Sequence, residues 1–284
     1  MSESPISDSK ADFYSPRVNP DGSYETLLVE KEGPIDWLTL NRPEALNAMS
    51  RTMMLELQHY FGSLYTNHDV RVVIVRGAGR GFCAGLDLKE ERAEPAGAVT
   101  GLRVQRRVSE IVMRMRRAPQ PVISLIHGPA SGGGFALALA SDIRIAGPKA
   151  RMNAAFIRIG LSACDVGVSY FLPRLVGSAL ASELLLTGRF IDAERARAVG
   201  LVSDVVAEDD IANAGRSIAR EILGNSPVGV RLTKECLNMS VDAPSLESAI
   251  AMEDRQQILA STTGDMREGV SAFLEKRAPE YKDA

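Results

Sequence analysis

The sequence predicts an α/β fold, and two similar segments carry most of that prediction. In each, an apolar β-branched run leads into a glycine-bearing turn: residues 72–75 precede residues 81–88, and residues 122–126 precede residues 127–134. Helical periodicity follows each turn, and the two units lie about fifty residues apart. Strands that alternate with helices are typical of α/β architecture. We expect the two turns to lie side by side on neighbouring strands.

The elements up to residue 146 follow from the same kinds of pattern. Two short strands, at residues 24–30 and 35–40, flank a turn that contains Gly and Pro. Apolar side chains at helical spacing after Ser50, a suitable N-cap, predict the first helix. The elements predicted next are a strand at 71–76, a mobile loop at 90–101, a helix ending before Pro119, a strand at 121–126, a helix from about Ser131 and a strand at 142–146.

From about residue 178 the pattern becomes mostly helical. A last strand is predicted at residues 201–206, and residues 211–276 form helices, two of which begin near Pro227 and Pro244. One face of the final helix is apolar and consists of Met266, Val270, Phe273 and Leu274. Such a face needs to be covered, either by the core or by another subunit.

Three regions result from this pattern. Residues 1–23, rich in Ser, Asp and Pro, are predicted to be a disordered N-terminal tail. Residues 24–206 form the α/β core, and residues 207–284 form a helical C-terminal region expected to mediate oligomerisation.

Composition and charge exclude several classes of protein. Hydrophobic residues make up 45% of the 284 residues and charged residues 24%, as in ordinary soluble proteins. A net charge of −3 disfavours nucleic-acid binding. The arginines between residues 103 and 117 are either a solvated helix face or a landing patch for a phosphorylated ligand. Three distant cysteines without a CxxC pair, together with no apolar run long enough for a membrane span, predict a cytoplasmic protein.

Motifs for metal, hydrolase or dinucleotide chemistry are missing or weak. His59, His68 and His127 lack metal-ligand spacing, and no GxSxG, HExxH or Walker A pattern occurs in the sequence. Residues 79–84 match G-x-G-x-x-A, but a charged loop follows where a dinucleotide fold needs a helix and a second strand. An NAD-dependent dehydrogenase therefore remains a minor alternative, which a titration with NAD tests.

The two glycine turns suggest a different kind of chemistry. A strand that turns into a helix leaves unpaired backbone N–H groups at the helix start. Three consecutive glycines at residues 132–134 are poor helix formers and indicate a close approach to the backbone, or close packing alone. Two such turns on neighbouring strands can direct two N–H donors at one oxyanion without any catalytic side chain.

Sequence motifs along nearly the whole chain carry a family resemblance. They are NRPEALNA at 41–48, GFCAGLDL at 81–88, GGG at 132–134 with SDI at 141–143, LTGR at 186–189, AVGLV at 198–202 and EGVSAFLEKR at 268–277. Taken in this order, they resemble the crotonase superfamily of enoyl-CoA hydratases and isomerases over about residues 24–282.

The resemblance implies a fold, a substrate class and a site. It implies a spiral of ββα units with a helical C-terminal region, assembled as a homotrimer or a dimer of trimers. The substrate would be an acyl-CoA thioester, so coenzyme A arrives with the substrate, and neither a separate cofactor nor a metal is implied. The thioester oxygen would be held by the backbone N–H groups of Leu86 and Gly133. Residues implied to contact coenzyme A are Ala84, Gly85, Leu86, Asp87 and Leu88, with Phe273 and Lys276 reaching a neighbour's ligand.

The sequence departs from the hydratase pattern at the acid–base positions. Hydratases of the family carry two glutamates, and by alignment those positions are Ala136 and Phe156 here. Asp165, in GLSACDVG at residues 160–167, resembles an aspartate of the dienoyl-CoA isomerases, although one extra residue precedes it. The alternative is a loop carboxylate that caps a helix starting near Val168.

A single carboxylate suits proton transfer in an enolate better than hydration, which asks for coordinated base and acid. We therefore expect an isomerase-like proton transfer by Asp165 at the α or γ carbon of an acyl-CoA. The alternatives are a 2-enoyl-CoA hydratase of fatty-acid β-oxidation with atypical acid–base residues, and a non-catalytic acyl-CoA binder.

Overall fold

A mixed sheet lies at the centre of the protein, for which a computed structural model describes residues 18–90 and 97–283. Within these residues its six strands are ordered β1-β2-β3-β4-β6-β9. The first pair is antiparallel and every later pair is parallel. The strands are β1 (Leu27–Glu32), β2 (Ile35–Leu40), β3 (Val72–Gly77), β4 (Val122–Ile126), β6 (Ile143–Ala146) and β9 (Asp204–Val205).

A small second sheet joins the segments that follow β4 and β6. It contains β5 (Pro129–Ser131), β7 (Arg151–Asn153) and β8 (Ile191–Asp192). The β5–β7 pair is parallel, and the β7–β8 pair is antiparallel. The β5–β7 pairing places Ser131, just before the three glycines, beside Asn153, just before the loop that leads to helix α4 (Val168–Val176).

Alternation along the strands explains why the main sheet is buried on both faces. In β3, Val73 and Val75 join the larger core cluster, whereas Val72 and Ile74 belong to a second cluster on the opposite face. Because successive side chains of a strand point to opposite faces, a continuous apolar run serves both clusters. The α/β prediction is confirmed.

Helices cover both faces of this sheet. Within the described residues they are α1 (Arg51–Ser63), α2 (Ala98–Arg117), α3 (Gly133–Ala140), α4 (Val168–Val176), α5 (Ser178–Thr187), α6 (Ala193–Ala198), α7 (Ile211–Leu223), α8 (Pro227–Ser240), α9 (Leu246–Ser261) and α10 (Gly264–Glu275). The side chain of Ser50 accepts a hydrogen bond from the backbone of Met53 and caps α1, as predicted. All eight residues of α3 are buried, which fits its apolar sequence GGFALALA.

Three local expectations differ from the structure. Helix α2 already begins at Ala98, within the predicted loop at 90–101; residues 91–96 of that loop lie outside the described residues. The first glycine turn is therefore not followed directly by a helix. Of the predicted tail, residues 1–17 lie outside the described part, whereas residues 18–23 form a turn closed by hydrogen bonds between Asn19 and Ser23 and belong to the folded structure.

The C-terminal helices expose much apolar surface in the single chain. None of the α9 residues is buried, and on α10 the side chains of Phe273 and Leu274 are 83% and 74% exposed. The chain end folds back on this region, where Arg231 pairs with Asp283 and the Lys282 N–H bonds Asp265. Across residues 18–90 and 97–283, none of the helices combines the length and apolarity that a membrane crossing needs.

Gly134 has no room for a side chain, because a Cβ atom there would lie 2.1 Å from the carbonyl oxygen of Cys83. We expect Gly134→Ala to lower the free energy of unfolding by roughly 1–3 kcal/mol or more, since backbone must move to relieve the overlap. Urea denaturation measures this. The matched control is Gly101→Ala on α2, where no described atom outside the neighbouring backbone of the helix lies within 4 Å of the added Cβ; it is expected to stabilise by up to about 1 kcal/mol. Equal stabilities of the two variants would contradict the prediction.

Candidate active site

The two glycine turns run side by side as parallel segments. Cys83 pairs with Ala130 in an isolated parallel bridge. The N–H of Cys83 donates to the carbonyl of Pro129 at 3.1 Å, and the N–H of Ser131 donates to the carbonyl of Cys83 at 2.9 Å. Beyond this bridge Gly85 closely approaches Gly133, and Leu86 follows Gly85 in the first turn. The side-by-side arrangement predicted from the sequence is present.

Close approach of the two turns requires a glycine at position 85. Gly85 has a φ of +97°, and a Cβ atom added there would lie 2.7 Å from the carbonyl oxygen of Ser131 and 3.3 Å from the nitrogen of Gly133. A side chain at Gly85 would thus be strained by its backbone angle and would overlap the second turn. The glycine brings the first turn next to the start of α3.

The backbone N–H groups of Leu86 and Gly133 have no hydrogen-bond acceptor in the described part of the chain. Met49 binds on either side of Leu86: its N–H donates to Gly85 at 2.7 Å, and its carbonyl accepts from Asp87 at 3.1 Å. Gly133 is the first residue of α3, where an N–H has no partner within the helix. Two unpaired donors on adjacent segments therefore remain, one from a strand-like pairing and the other from a helix start. The prediction that both donors come from helix starts is therefore wrong for Leu86.

Apolar side chains surround the second turn. Ala136, one turn into α3, is fully buried, and its N–H donates to the carbonyl of Gly132. The ring of Phe156 packs on Gly132, 3.5 Å from where a Cβ atom would stand. Neither side chain can move a proton. The two positions that align with the hydratase glutamates therefore carry apolar side chains, which line the site next to the donors.

Asp165 lies in the loop before α4, and two donors bind the same oxygen of its carboxyl group. Its Oδ1 accepts a hydrogen bond from the backbone N–H of Val166 at 2.8 Å and another from the side chain of Gln105 on α2. Burial raises the pKa of this carboxyl above its usual value, and the two hydrogen bonds oppose that rise. Gly167 occupies the N-cap position of α4, and no side chain caps the helix. The alternative reading of Asp165 as a helix cap is therefore wrong.

The segment expected to contact coenzyme A is held from behind by the NRPEALNA motif. The Asp87 carboxylate pairs with the Arg42 guanidinium at 2.9 Å and accepts the N–H of Lys89. Asn47, at a φ of +56°, donates from its side chain to the carbonyls of Ala78 and Gly81. Because the Asp87 carboxylate is bound by Arg42 and the Lys89 N–H, it stabilises the conformation of this loop.

The other predicted ligand contacts differ in exposure. Gly85 is buried, Ala84 and Leu86 are partly exposed, and Leu88 is exposed. Phe273 and Lys276, at the end of α10, are both exposed in the single chain. No bond from either side chain to a described residue is present, so both are free to contact another molecule.

The histidine and cysteine side chains near the turns have structural roles. The His127 ring binds the carbonyl of Gly79 at 2.9 Å. Burial raises the pKa of the Cys83 thiol to about 12, so this side chain is neutral and packs as a small apolar group. Among the described residues, no three His, Cys, Asp or Glu side chains cluster as metal ligands would.

Sequence reasoning missed three contributors to the site: Met49, Arg42 and Gln105. Met49 orients Leu86, Arg42 holds Asp87, and Gln105 contacts Asp165. Arg42 lies inside a quoted motif, which was the available signal. Met49 and Gln105 act on partners 37 and 60 residues away, and no local pattern marks them.

The Arg42–Asp87 pair predicts a pH-dependent stability. Burial opposes ionisation of Asp87, but the hydrogen bonds from Arg42 and the Lys89 N–H outweigh it and hold the pKa of the carboxyl below its usual value. Because the folded pKa lies below the value of about 3.9 in unfolded chains, the pair stabilises the protein above that pH. The stabilisation is lost as the pH falls through the folded value.

As the pH decreases from about 5 to 2, we expect the free energy of unfolding to fall less in Asp87→Asn than in the wild type. Denaturation at a series of pH values measures the difference. Asp69→Asn, at an exposed carboxylate, serves as the control and is expected to follow the wild type. If the free energy of unfolding of Asp87→Asn depended on pH as steeply as that of the wild type, the stabilising role of the Arg42–Asp87 pair would be contradicted.

Comparison with known proteins identifies the family. The enoyl-CoA hydratase/isomerase family model matches residues 30–284. A probable enoyl-CoA hydratase of Mycobacterium tuberculosis is 40% identical over 264 residues, covering 90% of this chain and 93% of its own. The 1,2-epoxyphenylacetyl-CoA isomerase of Escherichia coli is 37% identical over 259 residues, covering 90% of this chain and 98% of its own.

Solved structures agree with this assignment. A probable enoyl-CoA hydratase/isomerase of Mycobacterium abscessus superposes with a TM-score of 0.84 at 38% identity, covering 91% of this chain and 99% of that one. A putative enoyl-CoA hydratase of Streptomyces coelicolor gives a TM-score of 0.89 at 33% identity, covering 99% and 100%. The chain belongs to the enoyl-CoA hydratase/isomerase family and has the crotonase fold. Its family is enzymatic, and both hydratases and isomerases occur among its relatives.

Proposed function

We propose that this protein is an acyl-CoA isomerase that moves a proton through a thioester enolate. The observation that carries the proposal is the pair of unpaired N–H groups of Leu86 and Gly133 on adjacent turns. Donors of this kind stabilise a carbonyl oxygen as it gains negative charge. The family supports an acyl-CoA as the substrate, and coenzyme A enters as part of it.

Asp165 is the proposed acid–base group. With a 3-enoyl-CoA, its carboxylate takes a proton from the α carbon, and the electron pair moves onto the thioester oxygen held by the two N–H groups. The protonated Asp165 then returns the proton at the γ carbon, which gives the conjugated 2-enoyl-CoA. A carboxyl pKa raised by burial supports this role, because a stronger base takes a carbon-bound proton more readily.

The surroundings of the turns support isomerisation over hydration. Ala136 and Phe156 stand at the two positions that align with the hydratase glutamates and cannot transfer a proton, whereas addition of water needs coordinated proton transfers. The apolar ring of Phe156 also disfavours a bound water at this point. The isomerase named among the relatives acts on an epoxyphenylacetyl-CoA, which makes isomerisation an activity known within the family.

Hydration is the second candidate because several relatives are named enoyl-CoA hydratases. In that case Asp165 would act alone where two glutamates usually act. A non-catalytic acyl-CoA binder is the third, in which only the two N–H donors keep a function.

Assays with three classes of acyl-CoA separate these candidates. The protein is mixed with a 2-enoyl-CoA, a 3-enoyl-CoA and a dienoyl-CoA, and conjugation and hydration are followed by absorbance. Our proposal predicts that the 3-enoyl-CoA becomes conjugated while the 2-enoyl-CoA is not hydrated. Hydration of the 2-enoyl-CoA alone would favour the hydratase, and tight binding without turnover would favour the binder.

Assembly and ligand contacts complete the proposal. A homotrimer or a dimer of trimers would cover the apolar side chains of α9 and α10. Residues 84–88 of one subunit would line the path of coenzyme A, with Phe273 and Lys276 reaching it from a neighbour. The cytoplasmic location expected from the sequence remains a prediction.

A further inference from the structure

Two donors hold one oxygen of Asp165 and leave the other free. Gln105 Nε2 and the backbone N–H of Val166 both donate to Oδ1. Within residues 18–90 and 97–283, no donor reaches Oδ2. A carboxylate held in this way has a fixed rotation, and only Oδ2 is available to exchange a proton.

The backbone beside Asp165 is strained at the point where it supplies one of these donors. Val166 has a φ of +46° and is buried, although β-branched residues rarely adopt the left-handed region. Strain of this kind costs about 1–3 kcal/mol and persists where the surrounding structure enforces it, often at functional sites. Here it directs the Val166 N–H towards the carboxyl group of its neighbour.

Helix α2, which packs against the loop through Val112, supplies the second donor. Val112 on α2 lies against the loop, 3.6 Å from where a Cβ atom of Gly167 would stand. Gln105 lies two helical turns before Val112 and therefore on the same face of α2. Gln105 itself is exposed, so its hydrogen bond to Asp165 lies at the solvent-facing edge of the contact that Val112 makes with the loop.

We infer that Gln105 is a positioning residue, which holds Oδ1 of Asp165 so that Oδ2 faces the substrate and carries the proton. This inference rests on the proposed function, because it requires that Asp165 be the acid–base group. Gln105 itself does not exchange a proton, since an amide does not titrate in this range. No charged side chain among the described residues contributes to the pKa shift of Asp165, so the amide and the Val166 N–H are its polar determinants.

Two substitutions of opposite effect test the inference. Gln105→Leu removes the donor at similar size and is expected to lower kcat roughly 10- to 100-fold, because the carboxylate loses its fixed orientation. It also moves the acidic limb of the pH profile of kcat/KM to higher pH, since the hydrogen bond favours the ionised form. Gln105→Lys restores a donor with a positive charge and is expected to move that limb below the wild-type position.

The measurement is α-proton exchange of 3-hexenoyl-CoA in deuterated buffer across a range of pH, together with a ¹³C titration of the Asp165 carboxyl that needs no substrate. Ser217→Leu, at an exposed position on α7 outside the site, is the control and is expected to behave as the wild type. Thermal denaturation checks that all variants fold.

Each result separates the inference from the proposed function. Loss of exchange in Asp165→Asn, with a wild-type rate and pH profile in Gln105→Leu, would overturn the inference and leave the proposed function intact. Full exchange in Asp165→Asn would overturn the proposed function and the inference with it. Shifts of the same direction in the Leu and Lys variants would also overturn the inference. A shift to higher pH in Gln105→Leu and to lower pH in Gln105→Lys, seen in both the ¹³C titration and the pH profile, would support the inference.

Discussion

Replacing Asp165 with asparagine is expected to slow proton transfer by roughly 10²–10⁴-fold, the usual contribution of general acid–base catalysis. Asparagine keeps the size of the side chain and an oxygen for the Val166 N–H, which donates at 2.8 Å in the wild type. It removes the negative charge and the ability to take up a proton. Acyl-CoA binding should therefore change little while kcat falls, as measured by isomerisation of a 3-enoyl-CoA and by calorimetric titration with a saturated acyl-CoA.

A control and a pH profile sharpen this prediction. Asp209→Asn, at an exposed carboxylate outside the site, should retain wild-type turnover. In the wild type, kcat/KM should fall as the pH decreases through the raised pKa of Asp165, because the base must be ionised. If Asp165→Asn retained wild-type turnover, the acid–base assignment would be wrong.

Replacing Gly133 with proline is expected to reduce kcat by about 10²–10³-fold, the typical cost of losing one oxyanion donor. Proline is tolerated at the first position of a helix, and Gly133 holds that position in α3. It lacks the N–H that we assign to the thioester oxygen. The loss should appear in kcat more than in KM, because the oxygen gains negative charge on the way to the enolate and not in the bound substrate.

Alanine at the same position provides the matched control. Gly133→Ala keeps the N–H and adds a Cβ atom that overlaps the terminal methyl of Met49, a flexible side chain, at 2.2 Å. Both variants place a Cβ atom against Met49, so the difference in kcat between them reports the N–H group together with the proline Cδ atom that replaces its hydrogen. Thermal denaturation establishes that both fold, and equal activities of the two would contradict the assignment of this donor.

Much of the fold follows from local sequence patterns. The apolar runs of β3 and β4 and the glycines that end them are strong local signals, and the main sheet forms from them as expected. The start of α2 is a contrast. Small polar residues and Gly101 suggest a loop, yet the helix includes them because its later apolar positions, Val108 and Val112, pack into the core.

The candidate site was predictable only in part. The adjacency of the turns that carry Leu86 and Gly133 followed from their place on neighbouring strands, since parallel strands place equivalent ends together. The partners of Asp87 and Asp165 did not follow from the sequence. Their donors, Arg42 and Gln105, come from other elements 45 and 60 residues away, and such pairs arise only when the fold brings distant surfaces together.

The most direct test of the central claim is a crystal structure of the protein with a bound acyl-CoA. The account predicts that the thioester oxygen lies about 2.7–3.1 Å from the backbone nitrogens of both Leu86 and Gly133. It also predicts that Oδ2 of Asp165 faces the α carbon. A thioester oxygen bound by other groups, or an acyl chain lying away from the two turns, would contradict the account.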